Sequence, residues 1–119
     1  MSDCLFCKIV AGEIPSTKVF EDERLLAFED ISPAAPTHIL IIPKEHLGSI
    51  HEAGEEHKEM IGEIHLAAIR IANERGLAES GPDRGGYRIV NNCGADGGQT
   101  VAHLHFHLLG GRAMTWPPG

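Results

Sequence analysis

The chain has 119 residues, of which 42% are hydrophobic and 23% charged. These are the values of an ordinary globular domain, which excludes a disordered or fibrous chain, and the length suffices to bury a core without disulfides. Ten Lys and Arg against seventeen Asp and Glu leave a formal charge of −7, which argues against a general nucleic-acid or acidic-lipid surface.

No apolar run approaches the roughly 18 residues of a membrane span, and the N-terminus shows no basic-then-apolar signal pattern. Three cysteines, Cys4, Cys7 and Cys93, are an odd number and do not read as a disulfide framework, so a reducing, cytoplasmic setting is expected. In chain order, residues 4–10 (C-L-F-C-K-I-V) form a short apolar helical segment, punctuated by Gly12 and Pro15. Residues 18–21 and 24–29 are strand candidates around an acidic turn at Asp22 and Glu23, which together read as a hairpin. Two prolines keep residues 30–37 out of regular structure. His38 to Ile42, H-I-L-I-I, is a continuous aliphatic run closed by Pro43 and predicts a central strand covered on both faces.

Residues 55–75 predict one long helix. Met60 or Ile61, Ile64, Ala68 and Ile71 recur at three- and four-residue steps, Glu55, Glu56 and Glu59 suit its first turns, and Gly76 suits its end. A loop is expected over residues 79–86. Strands then follow at 87–92 and 101–109, joined by a glycine-rich segment from Cys93 to Thr100, and an aperiodic tail spans 110–119. The sum is a single α+β domain over residues 1–119, with about five mainly antiparallel strands, one long helix and a short N-terminal helix.

Histidine is the compositional oddity. There are eight, against one Tyr and one Trp, and three of them lie at 103, 105 and 107. On a strand these three share one face, while Ala102, Leu104, Phe106 and Leu108 share the other, which is apolar enough to meet a core. A solvated face of this length draws Thr, Lys and Glu rather than His. One metal held by all three is geometrically remote, because the outer two are about 13 Å apart along the strand while metal–nitrogen bonds are about 2 Å. Two of the three could still share a metal with ligands from elsewhere. The third reading is nucleophilic or acid–base chemistry, since a neutral imidazole attacks phosphorus and changes charge near neutral pH. Immediately upstream, Gly94, Gly97 and Gly98 permit close backbone approach to a ligand, and Gln99 and Thr100 offer side-chain donors for phosphate oxygens.

H-L-H-F-H-L-L, together with D-I-S-P-A-A-P-T-H-I-L-I-I-P-K, the G-G-Q-T segment and the terminal W-P-P-G, resembles the histidine-triad (HIT) family over nearly the whole chain. The tail is similar to that of its Hint branch, the nucleoside phosphoramidases, rather than to the dinucleoside polyphosphate hydrolases. That resemblance implies a purine nucleoside 5′-phosphoramidase in which His105 takes the nucleotidyl group as a covalent intermediate that water then hydrolyses. By the same resemblance His107, Gln99, Gly98, Thr100 and Asn92 match phosphate contacts, and His103 and His38 match groups that orient the nucleophile. Asp30 matches the ribose acceptor, with Ile31, Phe6, Ile14 and Phe28 around the purine. A homodimer is implied, with the tail and Trp116 near the partner's active site. The rival readings are another nucleotidyl hydrolase of the same family, a nucleotide-binding interaction module with vestigial catalysis, and a hydrolase using a catalytic metal.

Two residue groups keep alternatives open. Asp30, before a Ser-Pro turn, suits either an Asx turn or a ribose. Cys4-x-x-Cys7 suits a shared zinc, a redox dithiol or two free thiols. The family resemblance implies zinc, with Cys4, Cys7, His46 and His103 as structural ligands. His38 supports the triad, whereas His51, His57 and His65 are expected on the surface or on a helix face. For His105 to attack, its other ring nitrogen must keep a proton by donating it to an acceptor such as a backbone carbonyl.

Overall fold

A computed structural model describes residues 3–78, 81 and 84–119. Of the expected 79–86 loop, residues 79, 80, 82 and 83 therefore lie outside the described residues. Five antiparallel strands form one sheet in the order β1-β2-β3-β5-β4. They are β1 (Lys18–Glu21), β2 (Leu25–Glu29), β3 (Thr37–Pro43), β4 (Tyr87–Asn91) and β5 (Phe106–Gly110). The expected α+β class, with a short N-terminal helix α1 (Leu5–Val10) and a long helix α2 (Lys58–Glu74), is the class observed.

The hairpin between β1 and β2 closes because the Asp22 carboxylate accepts from the backbone N–H of Arg24 and Leu25, both at 2.8 Å, an Asx-type turn. In β3 every residue is buried, for the reason its unbroken apolar run suggests. Ile39 and Ile41 join a core against α2 that includes Ile64, Ala68, Ile71, Leu104, Phe106 and Leu108. Leu40 and Ile42 face the other way, into a smaller core with Phe6, Ile9, Leu26 and Phe28. Each sheet face thus carries one helix, and the sheet brings His107 of β5 beside Leu40 of β3 on the α1 side.

Helix α2 begins one turn later than its periodicity suggests, because residues Glu55–His57 form a 3-10 turn. It ends at a Schellman motif: Leu77 N–H bonds Ala72 O at 2.8 Å and Gly76 N–H bonds Asn73 O at 3.2 Å. Gly76 has φ +69° there, a conformation that glycine adopts without a Cβ penalty.

Three expectations are corrected. The strand expected over 101–109 begins only at Phe106. Upstream, the chain spends its hydrogen bonds elsewhere: Leu104 N–H on Leu47 O at 2.7 Å, and the His103 ring on Pro43 O at 2.9 Å. Ala102 accordingly is exposed and joins no core. His57 is buried rather than at the surface, its Nδ1 accepting from Gly54 N–H at 3.0 Å and its Nε2 3.3 Å from the Glu45 carboxylate.

Candidate active site

On the α1 side of the sheet a cleft of about 240 Å³ opens between α1, the start of the loop after β2 and the chain before β5. Phe6, Ile9, Ile14, Phe28 and Leu40 supply an apolar wall, and Asp30, Ile31, Thr100, His105 and His107 the polar side and rim. Of the residues anticipated around a nucleotide, Phe6, Ile14, Phe28, Asp30, Ile31 and Thr100 come together here with two of the three histidines. Phe6 meets Phe28 edge-on at 5.6 Å and the His105 ring at 5.1 Å, so the apolar wall ends directly on an imidazole.

His105 is 4% exposed. Its Nδ1 lies 2.7 Å from the carbonyl oxygen of His103, which only an N–H can satisfy, so Nδ1 carries the proton and Nε2 the lone pair. Among the described residues Nε2 has no partner, and no buried side-chain nitrogen there is unsatisfied. It is therefore the ring nitrogen open to a ligand. The Asn91 side chain donates to the His105 carbonyl at 2.8 Å and pins the backbone just before β5. Asn91 was not anticipated from sequence. A polar residue ending an otherwise apolar strand was the available signal.

A second chain of bonds fixes the other tautomers. His38 Nδ1 accepts from Ala34 N–H at 2.9 Å, so its proton sits on Nε2, 2.9 Å from His107 Nδ1. His107 Nδ1 therefore accepts, and its own proton lies on Nε2. Burial, then the neighbouring His105 and His38, push His107 down to about pKa 4, so the ring is neutral at pH 7 and acts as a hydrogen-bond donor. The native ring stays uncharged between about pH 6.5 and 4, where an unfolded histidine takes up a proton. Stability is thus expected to fall as pH drops across that window, by at most ~3 kcal/mol from this ring. An NMR titration should show His107 shifting near pH 4 in the ligand-free protein, and a His107→Asn variant should lose less of its melting temperature between pH 7 and 4.5 than the parent.

Asp30 forms the Asx turn that its sequence context allows and keeps a second oxygen at the cleft. One carboxylate oxygen accepts from Ser32 N–H at 2.7 Å, the Asx turn. The other lies 3.5 Å from His38 Nε2 at the cleft.

The glycine-rich loop is tied internally. Asn92 donates to Gly97 O at 2.7 Å. Gln99 accepts from Gly94 N–H at 2.9 Å and donates to Gly48 O at 2.7 Å and Val101 O at 2.9 Å. At Gly97 an added Cβ would stand 2.3 Å from Cys93 O, so the loop closes on itself at a position open only to glycine. Asn92, Gly98 and Gln99 thus shape this loop and do not line the cleft, and Trp116 lies 81% exposed on the tail.

His103 is fully buried and faces away from the cleft. Its Nε2–H donates to Pro43 O, so the Nδ1 lone pair points at Cys4 Sγ, 3.2 Å, Cys7 Sγ, 3.5 Å, and His46 Nδ1, 3.1 Å. Cys7 Sγ lies 3.3 Å from His46 Nδ1. Tetrahedral zinc with bonds of about 2.0–2.3 Å sets its ligands about 3.4 Å apart, so this donor set fits such an ion. Without one, burial and the adjacent Cys4 push the Cys7 thiol up. A cation at the centre reverses that balance. Asp30, His38 and His107 also lie close enough to share an ion, but His38 fails the test. Its Nδ1 already accepts a backbone N–H, so Nε2 holds a proton and has no lone pair for a metal.

A HIT domain model matches residues 11–114. The chain is 51% identical to a 14 kDa zinc-binding protein of Zea mays over 120 residues, covering 99% of this chain and 89% of that one. It is 48% identical to an adenylylsulfatase HINT1 of Arabidopsis thaliana, covering 99% of this chain and 78% of that one. The crystal structure of a HIT family hydrolase from Legionella pneumophila superposes with a TM-score of 0.92 at 53% identity, covering 98% of this chain and all of that one. With a matching family model over residues 11–114 and histidines at 103, 105 and 107, two of them lining an apolar cleft, the chain belongs to the histidine-triad family, in its Hint branch.

Proposed function

We propose that this protein is a purine nucleoside 5′-phosphoramidase, hydrolysing the P–N bond of an adenosine 5′-phosphoramidate through a nucleotidyl-His105 intermediate. The observation that carries the reading is the orientation of His105: Nδ1–H is held by the His103 carbonyl at 2.7 Å, and Nε2 is left for a cleft lined by both apolar rings and Asp30. A nucleophile held in one tautomer by a backbone acceptor has its lone pair fixed before substrate arrives.

In this scheme the base packs between Phe6, Ile14 and Phe28, beside Ile31, and the Asp30 oxygen not used by the turn accepts from ribose. His105 Nε2 forms a bond to phosphorus as the P–N bond breaks, and the amine departs with a proton taken from solvent water. Neutral His107, through Nε2–H, donates to a phosphate oxygen, where its fixed donor stabilises the charge that develops. Bound anion next to this ring opposes the effect of burial and favours its protonated form. Water then breaks the phosphorus–histidine bond and releases the nucleoside monophosphate. Thr100, Gly98, Gln99 and Asn92 act through the loop that confines the phosphate. Hydrolase chemistry agrees with the name of the Legionella relative, a HIT family hydrolase, and action on an adenylyl compound with that of the Arabidopsis adenylylsulfatase.

We assign zinc to Cys4, Cys7, His46 and His103. With four protein ligands its contribution would be structural. The protein is read as cytoplasmic, where both thiols stay reduced; no helix among the described residues is long and apolar enough to cross a membrane. It is read as a homodimer whose tail, residues 110–119, reaches the partner's cleft with Trp116. Exposed Leu66 and Ile69 on α2 and the edge position of β4 support that assembly.

The substrate class is tested by comparing kcat/KM for adenosine 5′-phosphoramidate, adenylyl sulfate and a diadenosine polyphosphate. At least tenfold preference for the P–N substrate is expected. A preference for either of the others would move this protein to the corresponding nucleotidyl hydrolase.

A further inference from the structure

The His38–His107 chain begins at a backbone N–H in a turn that has few supports of its own. Residues 31–36 lie outside every strand and helix, and Pro33 and Pro36 contribute no N–H. Their local bonds are Ser32 N–H to Asp30 and Ala34 N–H to His38. Among the described residues a single hydrogen bond reaches this turn from a distant part of the chain: Arg112 Nε donates to Ala34 O at 3.1 Å. The tail crosses close to the turn there. Gly111 has φ +92°, and a Cβ on it would stand 2.8 Å from Pro36 Cβ. Arg112 also bonds Ala113 O at 3.1 Å, which stiffens its own approach.

We propose that Arg112 is a positioning residue that acts through Ala34 and His38 to set which nitrogen of His107 carries the proton. The chain has two self-consistent states. With Ala34 N–H on His38 Nδ1, both His38 and His107 carry protons on Nε2, and His107 presents a donor to the cleft. If Ala34 moves away, His38 Nδ1 becomes free to hold the proton. His38 Nε2 then accepts from His107 Nδ1–H, and His107 turns a lone pair, not a donor, toward the cleft. A lone pair facing a phosphate oxygen repels it. Removing the guanidinium therefore acts on the far side of two rings without touching substrate. The effect on turnover rests on the nucleotidyl-transfer reading above, whereas the tautomers themselves do not.

The test uses the full-length protein, free of ligand, with ¹⁵N-labelled histidine. Two-bond proton–nitrogen correlations should show His38 and His107 as Nε2–H tautomers in the parent. Arg112→Ala should shift a substantial fraction of both to Nδ1–H, and Arg112→Lys, which keeps one donor, should retain most of the parent pattern. With adenosine 5′-phosphoramidate, Arg112→Ala should lose about tenfold in kcat with little change in KM, and Arg112→Lys should recover most of it. Unchanged tautomers in a folded Arg112→Ala protein would overturn the proposal, whether or not activity fell. A parent protein inactive on phosphoramidates would instead count against the proposed substrate and leave the tautomer comparison intact.

Discussion

Replacing His105 with alanine should lower turnover of an adenosine phosphoramidate by roughly 10⁴-fold or more, the scale seen when a covalent nucleophile is removed. Binding of adenosine monophosphate should survive. The apolar wall of Phe6, Ile14 and Phe28 and the Asp30 carboxylate line the cleft without help from the imidazole. His105 meets Phe6 edge-on, so the truncation also leaves a small void at the cleft floor, and a modest loss of stability accompanies it. Steady-state assays paired with nucleotide titration by calorimetry separate the two effects. Turnover persisting in the variant would remove His105 from the chemistry, and loss of binding along with turnover would make it a structural residue of the cleft.

The second large effect concerns the cysteines. A zinc held by Cys4, Cys7, His46 and His103, as proposed, would join the N-terminal helix to the segments after β3 and before β5, three parts of the chain far apart in sequence. A ligand present at 1,000 times its dissociation constant stabilises a fold by about 4 kcal/mol, and in a domain of this size that corresponds to roughly 15 °C in melting temperature. Stripping the metal, or Cys7→Ser, is expected to lower the melting temperature by about that amount in differential scanning calorimetry. Native mass spectrometry should show one zinc per chain in the parent and none in the variant. An identical melting temperature, with no zinc in either protein, would leave two free thiols at the start of α1. The carbonyl of His103 holds His105 while its ring faces the cysteines, so loosening this cluster should also broaden the His105 ring resonances.

Much of the sheet was legible because β3 and α2 obey simple periodic rules. H-I-L-I-I is apolar on both faces, and both faces are in fact covered. The isoleucine and alanine steps of α2 mark the side that meets the sheet. Alternation also sorted His105 and His107, which line the cleft, from Leu104, Phe106 and Leu108, which enter the α2 core. His103, however, precedes the strand and turns to the cysteines instead. What alternation does not report is pairing. His103 and His105 are held by Pro43 O and His103 O, bonds from ring to backbone that leave no periodic trace, so the strand is shorter than the pattern.

The same limitation explains Asn91, Arg112 and the buried His57. Each is placed by contacts with residues distant in the chain or with local backbone groups, and composition gives no hint of the partners. Conversely, Gln99 and Asn92 look like free donors in a glycine-rich context, yet their amides tie the loop to itself and to Gly48 O. The eight histidines divide accordingly. His105 and His107 line the cleft, with His38 bonded behind His107. His46 and His103 belong to the cysteine cluster, and His51 is exposed. His57 braces the start of α2 against Glu45, and His65 lies edge-on to Phe106 at 5.3 Å, bonded to Ile61 O.

The central claim is that His105 Nε2 takes the nucleotidyl group. Rapid-quench intact-mass spectrometry within the first turnover of an adenosine phosphoramidate tests it most directly. The account predicts a protein heavier by one adenylyl group, mapped to His105 by fragmentation, that decays as adenosine monophosphate appears. Product formed at full rate with no adduct at His105, under a quench that preserves phosphohistidine, would contradict it.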